Sequence, residues 1–120
     1  MKPSLSKSQY VKGLQCSKAL WFYRNRKDLK PKIDSSTQAR FDAGNEIGIL
    51  AQQYFKQGIE IVTSYWDIKR AEKLTQQYVK DGYKIIYEAT ATNPLDGSYS
   101  RIDILRRDED TDAWDLIEVK

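Results

Sequence analysis

The amino-acid sequence predicts an α+β fold in which helices come first and an antiparallel sheet follows. In most of the chain up to residue 80, apolar residues recur with the period of amphipathic helices. From residue 83 onward, apolar and polar residues alternate as they do in half-buried strands. Short turn sequences at residues 93–97 and 108–112 can join neighbouring antiparallel strands. Helices followed by a run of strands is the element order of the α+β class.

The first part of the chain is predicted to contain three helices and a loop. Ser6 followed by Gln9 can form a capping box at the start of the first helix. The Ser-Ser-Thr run at residues 35–37 can cap the second helix, and Gly58 follows its end. The predicted helices cover residues 5–16, 38–56 and 66–80, and the loop covers residues 24–31.

Four segments have the composition of strands. The first, at residues 59–63, is a short candidate that lies between two predicted helices. The other three, at residues 83–90, 99–106 and 113–120, follow one another through short turns. These three are predicted to form a three-stranded antiparallel β-meander.

Length and composition are those of one small globular domain. The chain has 120 residues, of which 40% are hydrophobic and 31% are charged. It contains no apolar run long enough for a transmembrane helix, and its N-terminus lacks the apolar core of a signal peptide. The single cysteine, Cys16, cannot form an intramolecular disulfide. A cytoplasmic location without a membrane partner is therefore the default expectation.

The charges are divided unevenly between the two ends of the chain. Residues 1–40 hold ten Lys and Arg against two Asp and Glu, whereas residues 41–120 hold ten against 15, so the net charges are +8 and −5. The basic part is a candidate surface for phosphates, with the acidic part a candidate cation site. Solvated surface charge is the alternative interpretation. If the basic part contacts DNA, the expected contact residues are Lys18, Arg24, Arg26 and Arg40.

Three charged residues of the last two predicted strands are expected to share one face of the sheet. Glu118 and Lys120 are two positions apart on a strand, so their side chains point the same way. If the strands pair around the turn at residues 108–112, Asp103 and Glu118 are near-opposite, with Cβ atoms about 5 Å apart. Two carboxylates at that distance repel each other unless a cation binds between them, and their oxygens suit Mg²⁺ or Mn²⁺. The alternative is that these are ordinary polar residues of a half-exposed strand.

The order and spacing of several motifs resemble the PD-(D/E)xK nuclease superfamily. Residues 8–24 are similar to the opening of RecB-like nucleases and of the related CRISPR-adaptation exonucleases, and residues 41–51 resemble the next helix in a bacterial branch of that group. The three core strands of the family resemble residues 87–89, 101–103 and 118–120. The resemblance covers nearly the whole chain.

This resemblance implies hydrolysis of phosphodiester bonds in DNA by a restriction-endonuclease-like core that uses Mg²⁺ or Mn²⁺. It implies that Asp103, Glu118 and the Val119 carbonyl bind the metal. Lys120 would be the catalytic lysine and Glu88 a supporting acid. Residues 1–120 would then form a single partial nuclease domain, with a basic helical segment at residues 1–36 and the helix and β-meander core at residues 37–120.

The sequence departs from the family in three respects. Relatives often carry a metal-binding histidine at the position of Gly48, and this chain has no histidine. Relatives also continue past the lysine, so we expect an N-terminal part of a longer domain, weakly active or inactive as 120 residues. In some relatives a cysteine like Cys16 is one of four iron–sulfur ligands. One thiolate cannot hold such a cluster, so no cluster is expected and Cys16 is interpreted as a small buried residue.

The aromatic residues and the overall function each leave alternatives open. Trp21, Phe22 and Tyr23 can stack on unpaired bases or pack a helix onto the core. Trp66 and Trp114 are interpreted as core or edge residues. A DNA nuclease is the leading function. The alternatives are a non-catalytic nucleic-acid-binding module with the same fold, and an interaction domain with ordinary surface acids.

Overall fold

The computed structural model describes residues 4–120, and within them the chain forms helices packed against a four-stranded sheet. The α+β class is therefore confirmed. The first three residues of the predicted basic segment lie outside the described residues. In chain order the elements are α1 (Lys7–Gln15), α2 (Ser17–Asn25), a 3₁₀ helix (Lys27–Leu29), α3 (Ser35–Tyr54), β1 (Ile59–Glu60), α4 (Ile68–Lys80), β2 (Ile85–Thr92), β3 (Tyr99–Arg107) and β4 (Trp114–Ile117).

The sheet differs from the predicted three-stranded meander. Its strand order is β1-β2-β3-β4, with β1 parallel to β2 and the other pairs antiparallel. The meander prediction accounts for β2, β3 and β4, but the strand count was wrong and the sheet is mixed. The reason lies in the connection: α4 carries the chain back between β1 and β2, and a helical crossover of this kind joins parallel neighbours. The strand candidate at residues 59–63 is present as the two-residue β1, but its place in the sheet beside β2 was not predicted.

Side-chain caps determine where three helices begin. The Ser6 hydroxyl accepts a hydrogen bond from the Gln9 amide at 3.2 Å, as the capping box predicts. The Asp34 carboxylate accepts from the Thr37 amide at 2.7 Å, so α3 begins three residues earlier than predicted. Asp67 caps α4 in the same way. Helix α2 was not predicted, and it extends to the second residue of the predicted loop.

The hydrophobic core lies between α4 and one face of the sheet. The Thr75 hydroxyl joins the two layers, because it donates to the Ala71 carbonyl and accepts from the Thr90 amide, both at 2.9 Å. The buried Thr75 hydroxyl thus has both a donor and an acceptor partner, and it fixes the position of α4 on β2. The buried core residues are Ile61, Ala71, Ile86, Ala89, Ile102 and Leu105.

Helices α1, α2 and α3 contribute little to this core. None of them contains a buried residue. The radius of gyration is 16.1 Å, whereas a compact domain of this length would have about 14 Å. No helix formed by residues 4–120 is long and apolar enough to cross a lipid bilayer. Of the three N-terminal helices, α1 contacts both α2 and strand β3.

The buried side chain of Tyr87 ties the end of α3 to the sheet. Its hydroxyl donates to the Phe55 carbonyl, with the Gln52 carbonyl at 3.3 Å, and accepts from the Gly58 amide at 3.1 Å. A Cβ atom at Gly58 would lie 2.3 Å from the Tyr87 ring, so only glycine permits this approach. The phenol thus satisfies backbone groups where the chain leaves α3 and turns toward β1.

We expect Tyr87→Phe to destabilise the protein by about 1–3 kcal/mol, because buried backbone groups lose their hydroxyl partner. Urea unfolding measures the change in the free energy of unfolding. The control is Tyr78→Phe, which removes a hydroxyl from a half-buried tyrosine packed on the same core, and should change stability by less than about 0.5 kcal/mol. Equal losses in both variants would contradict the role of the Tyr87 hydroxyl.

Candidate metal centre

The acidic residues of the sheet are positioned by a local reversal in β2. Ile86 and Ala89 both lie in the core although they are three positions apart, a spacing that puts side chains of a regular strand on opposite faces. Their partners on β3, Leu105 and Ile102, are spaced in the same way. Between Ile86 and Ala89, Glu88 has φ 58°, in the left-handed region. This backbone conformation lets β2 return Ala89 to the core and directs Glu88 away from it.

Glu88 and Asp103 face each other across β2 and β3. The pairs Tyr87↔Ile104 and Ala89↔Ile102 flank them on either side. Both acids are half-buried. Together with Glu60 and Val119 they line one cavity of about 400 Å³, whose other wall is the side of α3 that carries Gly44 and Gly48. We call this space the acidic cavity.

Burial and the charges around the acidic cavity shift the pKa of Glu88. Burial raises the pKa of Glu88, and the negative charge of Asp103 raises it further. Glu60 and Glu118 act in the same direction, whereas the positive charge of Arg101 lowers it. The sequence predicted repulsion between Asp103 and Glu118, whereas the charge that acts most strongly on Glu88 is that of Asp103.

After the end of β4, the backbone of the chain contacts the side chain of Asp103. The last paired residues of β3 and β4 are Ile104 and Ile117, so Glu118 follows at the position beside Asp103. The amide of Val119 donates to the Asp103 carboxylate at 2.7 Å. The predicted strand at residues 113–120 is thus shorter than expected, because β4 covers only Trp114–Ile117. Val119 reaches the cavity as a result.

Glu118 and Lys120 are placed differently from Glu88 and Asp103. The Glu118 carboxylate forms an ion pair with Lys7 of α1, and both side chains remain about half exposed. Glu118 acts on Glu88 through its charge but does not line the acidic cavity. Lys120 is exposed and follows the end of β4. The structure therefore brings Glu88, Asp103 and Val119 together, with Glu118 beside them and Lys120 outside the cavity.

The donor set of the cavity is suited to a hard divalent cation. Carboxylates of Glu88 and Asp103 and a backbone carbonyl at Val119 are oxygen ligands of the kind that Mg²⁺ and Mn²⁺ prefer. Among residues 4–120, however, no group of three or more Asp, Glu, His or Cys side chains lies close enough to hold an ion. Of the two further acids near Glu88, Glu60 lines the cavity and Glu118 is engaged by Lys7. For Glu118 to join a cation at Glu88 and Asp103, its carboxylate would have to leave Lys7 and turn toward Asp103.

The four residues expected to contact DNA are all exposed, but none of them lines the acidic cavity. Arg26 forms an ion pair with Asp28 at 2.6 Å, which lowers the pKa of that aspartate and offsets the arginine charge. The Arg24 guanidinium donates to the Ser4 carbonyl. Lys18 lies on α2 and Arg40 on α3.

Two interpretations of single residues were wrong. Cys16 is exposed because it occupies the extended break between α1 and α2, where no helix face covers it. Trp66 is 71% exposed and belongs to neither core nor edge. Trp114 packs against the core, as expected. Trp21 is 55% exposed, so it does not pack a helix onto the core.

Two residues near the site were missed from sequence. Glu60 lines the acidic cavity, and its signal was available, since it lies between isoleucines in a predicted strand as Asp103 does. Lys7 had no such signal, because its partner Glu118 is 111 positions away. No protein-family model, curated protein or solved structure matches this chain.

Glu88→Gln should stabilise the protein at neutral and higher pH. Because its pKa is raised on folding, the folded chain retains a proton over a pH range in which the unfolded chain has lost it. Stability therefore falls as pH rises from the ordinary glutamate pKa through the raised one. The gain in melting temperature of Glu88→Gln over the native chain should be near zero at about pH 3 and largest at about pH 8.

Circular dichroism melts across this pH range measure the effect. Glu46→Gln, an exposed glutamate on α3, is the matched control and should show no gain that grows with pH. A gain for Glu88→Gln that is independent of pH would contradict the electrostatic explanation.

Proposed function

We propose that this chain is a metal-dependent DNA nuclease domain with a restriction-endonuclease-like core of the PD-(D/E)xK type. The observation that carries the proposal is the convergence of Glu88, Asp103 and Val119 on one cavity beside the paired strands. The pKa of Glu88 is raised first by burial and then by the charge of Asp103, and a cationic ligand would offset the repulsion between these two acids. The single cysteine supports a reducing, cytoplasmic setting as part of the proposal.

Each residue has a defined role in this proposal. Asp103 and Glu88, with the Val119 carbonyl, would hold Mg²⁺ or Mn²⁺, and Glu118 would join them after separating from Lys7. The cation supplies charge that polarises a phosphoryl oxygen and lowers the pKa of a bound water. Lys120 would orient the attacking water or neutralise charge that develops on the phosphate.

A non-catalytic nucleic-acid-binding module is the second candidate. It is favoured by one observation, namely that no three acids in the described part of the chain are close enough to hold an ion. In that case the acids would bind no metal and would only make the local surface potential more negative. The exposed Lys18 and Arg40 would supply most of the affinity for phosphates. The two candidates differ in whether Asp103 binds a metal.

Asp103→Asn should weaken Mn²⁺ binding by roughly tenfold or more, because it removes a charged ligand from the centre of the site. Calorimetric titration with MnCl₂ measures the affinity. Asp110→Asn removes the same charge from an exposed turn and should leave the affinity unchanged. Plasmid and single-stranded DNA digestion, with and without EDTA, measures cleavage in the same proteins. Slow cleavage that requires metal should disappear in Asp103→Asn and persist in Asp110→Asn.

Lys120→Gln tests the lysine separately, since it should abolish cleavage while Mn²⁺ affinity is retained. Cleavage that survives EDTA or the Asp103 substitution would place the activity at another site. A chain that neither binds Mn²⁺ through Asp103 nor cleaves DNA, but still binds DNA with an affinity that falls as salt rises, would be the non-catalytic module.

Lys7→Gln should raise Mn²⁺ affinity several-fold, because Glu118 would no longer have to leave an ammonium partner before it binds the cation. The same titration measures the change. Lys12→Gln removes an equal charge from the same helix without releasing Glu118, so any general electrostatic effect appears in both variants. Equal affinities in the two variants would exclude Glu118 as a metal ligand.

A further inference from the structure

A second cavity, of about 340 Å³, has a different chemistry from the acidic cavity. Its walls include three tyrosines and two basic residues: Tyr23, Tyr65, Tyr99, Lys7 and Arg101. These residues come from α1, α2, β3 and the loop before α4, which are far apart in sequence. We call this space the tyrosine cavity.

We propose that the tyrosine cavity is a nucleotide subsite in which Tyr65 stacks on an unpaired base and Arg101 binds the adjoining phosphate. This inference rests on the proposed nuclease function, because it names the part of the substrate that is held beside the acids. Aromatic rings combined with a positively charged groove are the means by which proteins hold single-stranded nucleic acid.

Tyr65 is available to a ligand because it lines the tyrosine cavity and its ring is not packed in the core. It is 77% exposed, and it meets the exposed Trp66 edge to face with ring centroids 5.0 Å apart. A tyrosine on a loop gains nothing for folding when its ring is left in water. The edge-to-face contact limits the motion of the phenol while leaving ring surface available.

Arg101 is positioned to bind a phosphate near the acidic residues. Its guanidinium donates to the carbonyl of Ser64, the neighbour of Tyr65, at 3.4 Å. In the part of the chain that the structure describes, Arg101 takes part in no ion pair. It precedes Asp103 by two residues on β3, a distance of about 7 Å along the strand. A phosphate bound to Arg101 would thus lie close to Asp103 in the proposed reaction centre.

The remaining walls add positive potential. The ammonium groups of Lys12 and Lys30 lie over the ring of Tyr23, at 5.5 and 5.8 Å from its centroid. Helix α1 begins at the cavity, since Ser6 caps it and Lys7 lies in its first turn. The positive end of that helix therefore points toward the place proposed for the phosphate. Because a base within a duplex has both faces covered, the site suits an unpaired nucleotide.

Fluorescence anisotropy in EDTA tests the subsite without cleavage. The probes are a labelled oligothymidylate of about 12 nucleotides, an abasic oligomer with the same number of phosphates, and a duplex of equal length. Tyr65→Leu should weaken oligothymidylate binding by roughly tenfold, which is the range of one base stacked on an aromatic ring, and should leave abasic binding unchanged. Arg101→Gln should weaken binding of both single-stranded probes.

The matched control is Tyr54→Leu. Tyr54 is 83% exposed and meets Phe55 edge to face, as Tyr65 meets Trp66, but it lies outside the tyrosine cavity. It should bind every probe like the native chain. Circular dichroism melts establish that each variant is folded. Tighter native binding to the oligothymidylate than to the duplex is also expected.

The inference is overturned if Tyr65→Leu binds the oligothymidylate as the native chain does, or if it loses abasic binding equally. Preference for the duplex would overturn it as well. These outcomes leave the proposed function standing, because metal-dependent cleavage is measured separately. Conversely, stacking at Tyr65 in a chain that never cleaves DNA would keep the subsite and assign it to the non-catalytic module.

Discussion

In β2 the backbone of Glu88 takes φ 58°, and this conformation sets the direction of the side chains around the acidic cavity. A left-handed conformation costs a residue other than glycine about 1–2 kcal/mol. It persists because the residues on both sides are fixed: Ile86 and Ala89 are fully buried in the core, and Tyr87 is hydrogen-bonded to the end of α3. These three residues hold the strand in place, and they thereby keep the Glu88 side chain away from the core and opposite Asp103. Strain of this kind at a polar residue is characteristic of functional sites.

The charges around the site are only partly compensated. Lys7 offsets Glu118, and Arg101 acts on Glu88 from a distance, but burial and Asp103 still raise the pKa of Glu88. A sheet selected for stability alone would place an apolar or neutral residue at this position, because acids on adjacent strands repel each other. The arrangement is therefore unfavourable for the folded chain by itself, and the proposed cation would relieve it.

The parts of the fold that follow from local patterns could be predicted, whereas those that depend on distant contacts could not. Alternation in the second half of the chain predicted β2, β3 and β4, and the turn at residues 108–112 predicted that Asp103 and Glu118 would be neighbours. The parallel pairing of β1 requires a contact across α4, and the pairing of Glu88 with Asp103 requires the register of two separate strands. The left-handed conformation of Glu88 has no sequence signal, since neither glycine nor asparagine occupies the position. The Lys7–Glu118 pair likewise joins the two ends of the chain, where no local pattern applies.

Helix α1 and strand β3 connect the two cavities. Lys7 of α1 lines the tyrosine cavity and pairs with Glu118, while Arg101 of β3 lines the same cavity and lowers the pKa of Glu88. An anion bound in the tyrosine cavity would draw both cations toward itself. It would weaken the hold of Lys7 on Glu118 and leave the acids with less compensation, so that a divalent cation would bind them more readily. Two ligands linked through shared residues affect each other's affinity by the same factor. Nucleotide and metal would therefore bind cooperatively, and the ion pair with Lys7 would keep Glu118 from the proposed metal until a nucleic acid binds.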